Sequence, residues 1–592
     1  ILALLLTTGV EPARAQAQNA SAYKGWTVSR LDVRGIEKDL ASQITKGLAL
    51  SGQRKLVRTA RPILYPQTLE EDIRRTRLFL ARRGYPYARV SPAFEPAPPE
   101  RKVAITLDVQ PGPPVRVGSV RLEGFPPALR GELGAAVSLT SGSIFSEARV
   151  DESASALRSA LEHAGYAHAA VAVRLEAEDS TLVSLTFAAD PGDVYRFGDV
   201  VVRGASEDLV PLVRKTASVR RGQTYSPSTL EQARDNLRLL GLFRQIRVGG
   251  EDAGAQVLAV RADLMERKHR TMEVGVGYWT DDLVRTHARW EHRNLLKAGR
   301  GGDIRASYSR FEQRFGASLW WPGLFGARTR GVVAGTVERQ REESYNLLAA
   351  GLELGWRYRA SLATTVRAGV TVSRIDVEIK TEQTAAFVEG DGLLTVLSAG
   401  WNRDTSNDRL FPTAGAVTWV TVEWAPPGRL SKSHFVLSEA SAAGYRSIGR
   451  RTVLAGRVRA GVGLPTGDSV DLLPNKRFYA GGATSMRGFK RRKLGPLDDA
   501  GAPLGGEAKA EASVEMRFPI WWRLRGVTFV DAGQVWQRWE DASPDNLEWA
   551  AGPGLMVQTP VGPIRADAGF RLTDREPGEP DWVFHLTIGN PY

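Results

Sequence analysis

The chain has 592 residues, too many for one ordinary core, and its 79 Lys and Arg against 66 Asp and Glu give a net charge of +13. Such an excess favours anionic partners, whether phosphate-rich lipid, lipopolysaccharide or nucleic acid, without choosing among them. The absence of cysteine excludes disulfides, thiolate metal sites and cysteine nucleophiles together.

The first residues, ILALLLTTGVEPARAQAQ, are an apolar run followed by Ala13-Arg14-Ala15, the small-x-small form of a signal-peptidase site. They read as a signal-peptide remnant over 1–17, cleaved after Ala15 or Ala17. No later apolar run reaches the ~18 to 20 residues of a membrane helix, so an exported chain of this kind is periplasmic, secreted or a β-barrel.

A repeat follows. SRLDVRG ends at Gly35, PGPPVRVGSVRLEG begins at Pro111 and PGDVYRFGDVVVRG at Pro191, with Arg116/Arg196, Gly118/Gly198 and Gly124/Gly204 in register. Each copy leads into a helical pattern stopped by glycine before an aromatic or apolar residue: DIRRTRLFLARRGY, ASALRSALEHAGY and EQARDNLRLLGLF. Strands are predicted after the first two, at 103–110 and 182–190. The unit is β, helices, β, β, giving three α+β modules at 25–110, 111–190 and 191–264.

Beyond residue 268 helical signals nearly vanish, and period-2 segments alternate with Gly, Pro, Asp and Asn. Leu454, Gly456, Val458, Ala460, Val462 and Leu464 share one face and Arg457 and Arg459 the other; Ile375, Val377 and Ile379 alternate with Asp376 and Glu378. The pattern fits a soluble sandwich or a membrane barrel; in a barrel, an apolar face toward lipid and a charged, watery lumen would explain arginines inside strands, and strand edges in lipid would force closure. The signal-like start and the aromatic chain end favour the barrel. At about 20 residues per strand with its connection, 268–592 accommodates about 16 antiparallel strands. Trp320, Trp321, Trp521 and Trp522 are candidates for interfacial girdles.

The segment GGATSMRGFKRRKLGP, 481–496, sets Arg487, Gly488 and Phe489 before four cations, Lys490 to Lys493. Taken alone it is also a polyanion patch. A guanidinium fork suits paired carboxylates, Gly488 permits close backbone passage, and Phe489 is placed to cover an ion pair. The cation run has an equally good reading as a solvated or lipopolysaccharide-facing stretch. An enzyme finds little support, since there is no Gly-Lys pair for a phosphate loop, no His-Glu pair for a zinc helix, and the seven histidines are scattered. No cofactor or metal is expected.

Three modules followed by a barrel carrying GGATSMRGF, FVDAG and GPGLMVQTPVGPIRADAG resemble the BamA/TamA superfamily of outer-membrane insertases and translocases, and within it the TamA branch. The likeness implies an outer-membrane barrel with periplasmic POTRA (polypeptide-transport-associated) repeats. In that family the loop arginine folds back onto lumen-wall carboxylates, which places Arg487, Gly488 and Phe489 against Asp531 and Glu515. The resemblance further implies a lateral seam between the first barrel strand, with Val274, Gly275, Val276 and Gly277, and the last, with Phe584, Leu586, Ile588 and Gly589. Glycines weaken such strands or serve barrel curvature, and Pro591 puts the final pairing of the last strand in question. Partners implied are a TamB-like inner-membrane protein, unfolded outer-membrane or autotransporter clients joined by strand addition, and outer-membrane lipid and lipopolysaccharide, with no nucleic acid. The TamA pair is associated with phospholipid transport as well as autotransporter assembly. A core BamA-type factor, a two-partner secretion transporter and, last, a barrel enzyme are the alternatives.

Overall fold

The computed structural model describes residues 20–51, 62–381, 390–449, 451–559, 562–573 and 580–588. The signal-peptide reading over 1–17, Gly589 of the seam and Pro591 lie outside the described residues.

Each repeat is a three-stranded sheet covered by helices. In the first, β1 (Thr27–Arg34) is followed by α1 (Lys38–Gly47), α2 (Pro66–Ala81), β2 (Arg89–Ala97) and β3 (Lys102–Gln110), in sheet order β1-β3-β2. The second repeats this with β4 (Arg116–Glu123), α3 (Arg130–Ala136), α4 (Glu147–His163), β5 (Ala170–Ala177) and β6 (Leu182–Asp190). The third has β7 (Arg196–Arg203), α5 (Val210–Ala217), α6 (Pro227–Leu240), β8 (Phe243–Asp252) and β9 (Val257–Glu266). In the first two the opening strand runs parallel to the central one and the middle strand antiparallel to it. Burial fixes the central strand: Val103, Ile105, Leu107 and Val109 of β3 are all buried with Leu69, Ile73 and Leu80 of α2.

The in-register glycines have a steric cause. Gly35, Gly124 and Gly204 follow the first strand of each repeat at φ +87°, +76° and +74°. A Cβ there would stand 2.0, 2.2 and 2.2 Å from the carbonyl oxygens of Val109, Ala189 and Leu264. Only glycine fits both the dihedral and the gap. Arg116 and Arg196 are likewise equivalent, donating to the carbonyls of Gly142 and Gly222 at 2.7 and 3.0 Å.

By compactness the chain forms two units. One comprises 1–199, 220–230 and 250–260, and the other 200–219, 231–249 and 261–592, so much of the third repeat belongs with the barrel. Inside that second unit, Asn294 donates to Asp208 at 2.9 Å, Lys215 to the carbonyl of Gly323 at 3.0 Å, and Arg328 to Asn236 at 2.7 Å.

Strands β10 (Arg270–Trp279) to β25 (Trp582–Ile588) form a closed barrel of sixteen antiparallel strands, each paired with its sequence neighbour. Among the described residues no helix is long and apolar enough to cross a membrane. Leu454 and Val458 of β20 (Thr452–Pro465) are exposed on the outer face while Arg457 is buried inside, as the alternation requires.

Two expectations are corrected. In β16 (Thr364–Ile379) the apolar set turns inward: Val372 is exposed, but Ile375 and Val377 are buried with Tyr345, Leu394, Phe435 and Leu472. Loop residues Leu472 and Leu473 cap that end of the lumen, so an apolar inner face finds apolar company there and the outer face carries Asp376 and Glu378. Trp320 is not a girdle residue. It is buried under the guanidinium of Arg330, 5.2 Å from its ring, whereas Trp521 and Trp522 are exposed.

Candidate functional site

The connection between β20 and β21 (Ala508–Trp521) returns into the barrel and delivers Arg487 to a wall built by β21, β22 (Leu524–Trp536) and β24 (Gly562–Arg571). Alternation along antiparallel neighbours explains the wall: Ser513 pairs with Asp531 across β21 and β22, and Glu515 lies two residues on, on the same face. Asp531 and Glu515 are fully buried, and Arg487 is 4% exposed.

Arg487 grips Asp531 with both ends of its fork, Nε to Oδ2 at 2.7 Å and Nη2 to Oδ1 at 2.6 Å. Its Nη1 donates to Glu515 at 2.8 Å and its Nη2 also to the Ser513 hydroxyl at 3.0 Å. Glu515 is shared, accepting from Arg517 Nε at 2.6 Å and Arg565 Nη1 at 3.0 Å. Arg565 in turn pairs with Asp567. A guanidinium taken this far from water needs charge and donors matched together, and this network supplies both.

The aromatic cover differs from expectation. Phe529 of β22, not Phe489, lies under the Arg487 guanidinium, 3.4 Å from ring centre. Phe489 packs with Met486, Leu494, Val535 and Ala550, beneath the guanidinium of Arg571 at 4.4 Å. A strand neighbour already fills the stacking position, so the loop ring is free to anchor the turn. Gly488 passes where a Cβ would meet that of Ala550 at 2.6 Å, and Gly569 lies where a Cβ would strike the Arg487 carbonyl at 2.1 Å.

The cation run is not a solvated stretch. Arg491 makes two bonds to Glu342, at 2.7 and 2.8 Å, Arg492 lies 3.2 Å from the same carboxylate, and Lys493 pairs with Glu343. Both glutamates sit in the turn between β14 (Thr329–Arg341) and β15 (Tyr345–Arg359), so local sequence gave no hint of them. Lys490 alone of the four is exposed.

A residue that sequence reading missed joins the loop to the seam. His585 of β25 is fully buried, and its Nε2 donates to the Arg487 carbonyl at 2.8 Å. Its Nδ1 lies 3.5 Å from Asp281, in the turn after β10, and Asp281 accepts from the backbone of Ala483 at 2.8 Å. Inward alternation was readable for His585; its target, 98 residues away, was not.

At the seam, β10 matches β11 (Leu283–His292) over ten register pairs, yet among the described residues it shares one with β25, Trp279 with Thr587. Thr280 adds a backbone bond to Leu586 at 3.1 Å, and Trp279 Nε1 donates to the Ile588 carbonyl at 3.3 Å. Val274 and Val276 are 64% and 71% exposed, on the outer face, and Phe584 is exposed on the last strand. Leu586 and Ile588 are half-buried beside it. Gly275 makes room for the His287 ring, which a Cβ would meet at 2.0 Å, and Gly277 stands 3.4 Å from the Ile588 carbonyl on the same measure. Sterics, rather than strand weakening, account for Gly275.

A closed barrel with a plugging loop, preceded by repeats of this topology, has a family. The Omp85 superfamily domain matches residues 294–592, and the repeat described as POTRA, surface antigen variable number repeat, matches 27–112 and 115–192. The chain belongs to the Omp85 superfamily. It is an outer-membrane barrel with periplasmic POTRA repeats. Outer membrane protein assembly factor BamA of Neisseria meningitidis serogroup B is 22% identical, over 83% of this chain and 68% of that protein. The BamA of Nitratidesulfovibrio vulgaris is also 22% identical, over 70% of this chain and 54% of its own. In fold the chain is similar to the crystal structure of BamA from Haemophilus ducreyi lacking POTRA domains 1-3, with TM-score 0.62, 18% identity, and coverage of 80% of this chain and 99% of that one.

Proposed function

We propose that this Omp85 chain inserts or exports β-rich clients through the β10–β25 seam, without catalytic chemistry. The observation that carries the proposal is the disparity between ten register pairs on one side of β10 and a single one on the other among the described residues. Backbone groups facing lipid without partners cost several kcal/mol each, so a client strand that pairs with β10 is bound by main-chain bonds alone, whatever its sequence. Burial of the client's apolar face in lipid then drives release.

Arg487 acts in this reading as the latch that holds the loop inside the closed barrel, and His585 ties the latch to the last strand. The repeats receive periplasmic clients at sheet edges. Edge strand β2 contains Pro92 and Pro96, which donate no backbone hydrogen bond, while β5 contains no proline and is the better template.

Among Omp85 roles we favour a TamA-like one, on three repeats and the motif order, with a TamB-like inner-membrane partner, autotransporter-type clients and a link to phospholipid transport. The similarity to assembly factors named BamA supports the core assembly role equally. Affinity purification of the tagged chain from native membranes, followed by mass spectrometry, separates them. An elongated inner-membrane protein is the expected catch; several assembly lipoproteins would move the chain to the core role, and a single secreted client to two-partner secretion.

A further inference from the structure

The periplasmic end of the barrel holds a cavity of about 430 Å³, enclosed by the C-terminal turn of α6 and the ends of several strands. Among its lining residues are eight arginines and one carboxylate, Glu291. Glu291 is already divided between Arg289 and Arg293, at 3.2 and 3.4 Å. Arg328, Arg330 and Arg359 each spend a donor on the third repeat, at Asn236 and the carbonyls of Leu240 and Leu239. Those bonds explain part of the cluster, since cations suit a helix C-terminus. They do not explain the Arg357 side chain, which donates no hydrogen bond and forms no ion pair within 4 Å among the described residues, with Glu353 the carboxylate that acts on it from farther off, yet which lines the cavity beside Arg330 and Arg359.

We propose that this cavity binds a phosphate group. Arg267, Arg289, Arg293 and Arg328 spend further donors on the Phe243 carbonyl, Asp303, the Lys268 carbonyl with Thr271, and the Ala360 carbonyl. A guanidinium has five N–H donors in a planar fork, so Arg330, Arg357 and Arg359 keep most of theirs for a ligand. Phosphate oxygens accept such forks in pairs and cancel the mutual repulsion of neighbouring arginines, which a lone water cannot do. Leu239, Leu242 and Trp320 line the same cavity, so a phosphate carried on a lipid headgroup finds apolar walls beside the charge, while a free phosphate uses the arginines alone. The site stands on the cavity and is independent of how the seam works.

The test uses the full chain in neutral-detergent micelles. Inorganic pyrophosphate is titrated calorimetrically, and micelles doped with phosphatidylglycerol are compared with micelles doped with diacylglycerol for lipid retained after purification. Binding that weakens as salt rises is expected. Arg357→Gln should weaken it about tenfold, the share of one charge-assisted contact, with Arg357→Lys between the two. Arg314→Gln, elsewhere on the lumen wall, should leave it unchanged. Retention of phosphatidylglycerol over diacylglycerol would place the phosphate on a lipid, and pyrophosphate binding without lipid retention would make it a soluble one. Binding of neither, or equal binding by a folded Arg357→Gln chain, would overturn the assignment.

Discussion

Arg487 and Glu515 sit in one network but carry different loads. Arg487→Ala removes the loop's cation and leaves Asp531 with the Ser513 hydroxyl at 2.7 Å, while Glu515 keeps Arg517 and Arg565. Breaking a buried pair costs ~3–5 kcal/mol. The expected result is a barrel that still assembles, with segment 481–496 newly open to protease and a lowered unfolding temperature. Glu515→Gln instead strips three guanidiniums of their common counter-charge, so assembly itself should fall, read as the folded fraction by heat-modifiable electrophoresis. His585 is a positioning residue in the same frame. His585→Ala should release the loop to protease without lowering barrel content, and His585→Gln, whose amide can still donate to the Arg487 carbonyl, should restore protection. Of this site, Arg487, Asp531 and Glu515 were legible because a motif named them. Phe529 and His585 were not, since stacking and contacts between distant strands leave no mark in local sequence.

At the level of strands, the seam makes a sharper claim than any one side chain. Trp279 and Thr587 are Cα partners across it, and directly paired antiparallel residues stand about 4.5–5.5 Å apart, within the ~4.4–6.8 Å that a disulfide spans. The chain has no cysteine, so Trp279→Cys with Thr587→Cys forms one defined bond in the oxidising periplasm. The locked barrel should fold and reach the membrane yet fail to insert a client in reconstituted vesicles, and reductant should restore insertion. Full insertion by the oxidised form would rule out passage through β10 and β25. Strand pattern was the most readable layer of the sequence, because two-residue alternation follows directly from the pleat. It misled at Ile375 and Val377, where the lumen itself turns apolar beneath Leu472 and Leu473. Alternation separates two faces; it does not say which one meets lipid.

For the whole molecule, the repeat count and the barrel were visible because both are periodic, whereas the joint between them rests on unlike segments. Asp208, just before α5, accepts from Asn294 at 2.9 Å and from the backbone of Ala298 at 3.0 Å, both in the connection between β11 and β12 (Gly301–Tyr308). Leu212 and Leu242 crowd Gly299 of the same connection. The hydrogen bond from Asn294, with the Ala298 amide, holds the Asp208 carboxyl below its ordinary pKa against the opposing effect of burial. A carboxyl lowered in the folded state binds fewer protons there than in the unfolded chain, so its stabilisation is complete above the unfolded pKa of about 4 and is lost as pH falls through the folded value. Acidification from about pH 5 to pH 3 should therefore loosen the joint while the barrel, held by its strand ladders, stays closed. Limited proteolysis at 293–300 across that range is the measurement. Wild type should change from resistant to cleaved, and Asp208→Asn should be cleaved at every pH, because an amide there loses the charge that both donors serve. A flat wild-type profile would mean that the Asp208 charge is dispensable and that the other contacts, the Lys215 and Arg328 hydrogen bonds and the packing of Leu212 and Leu242 on Gly299, hold the joint.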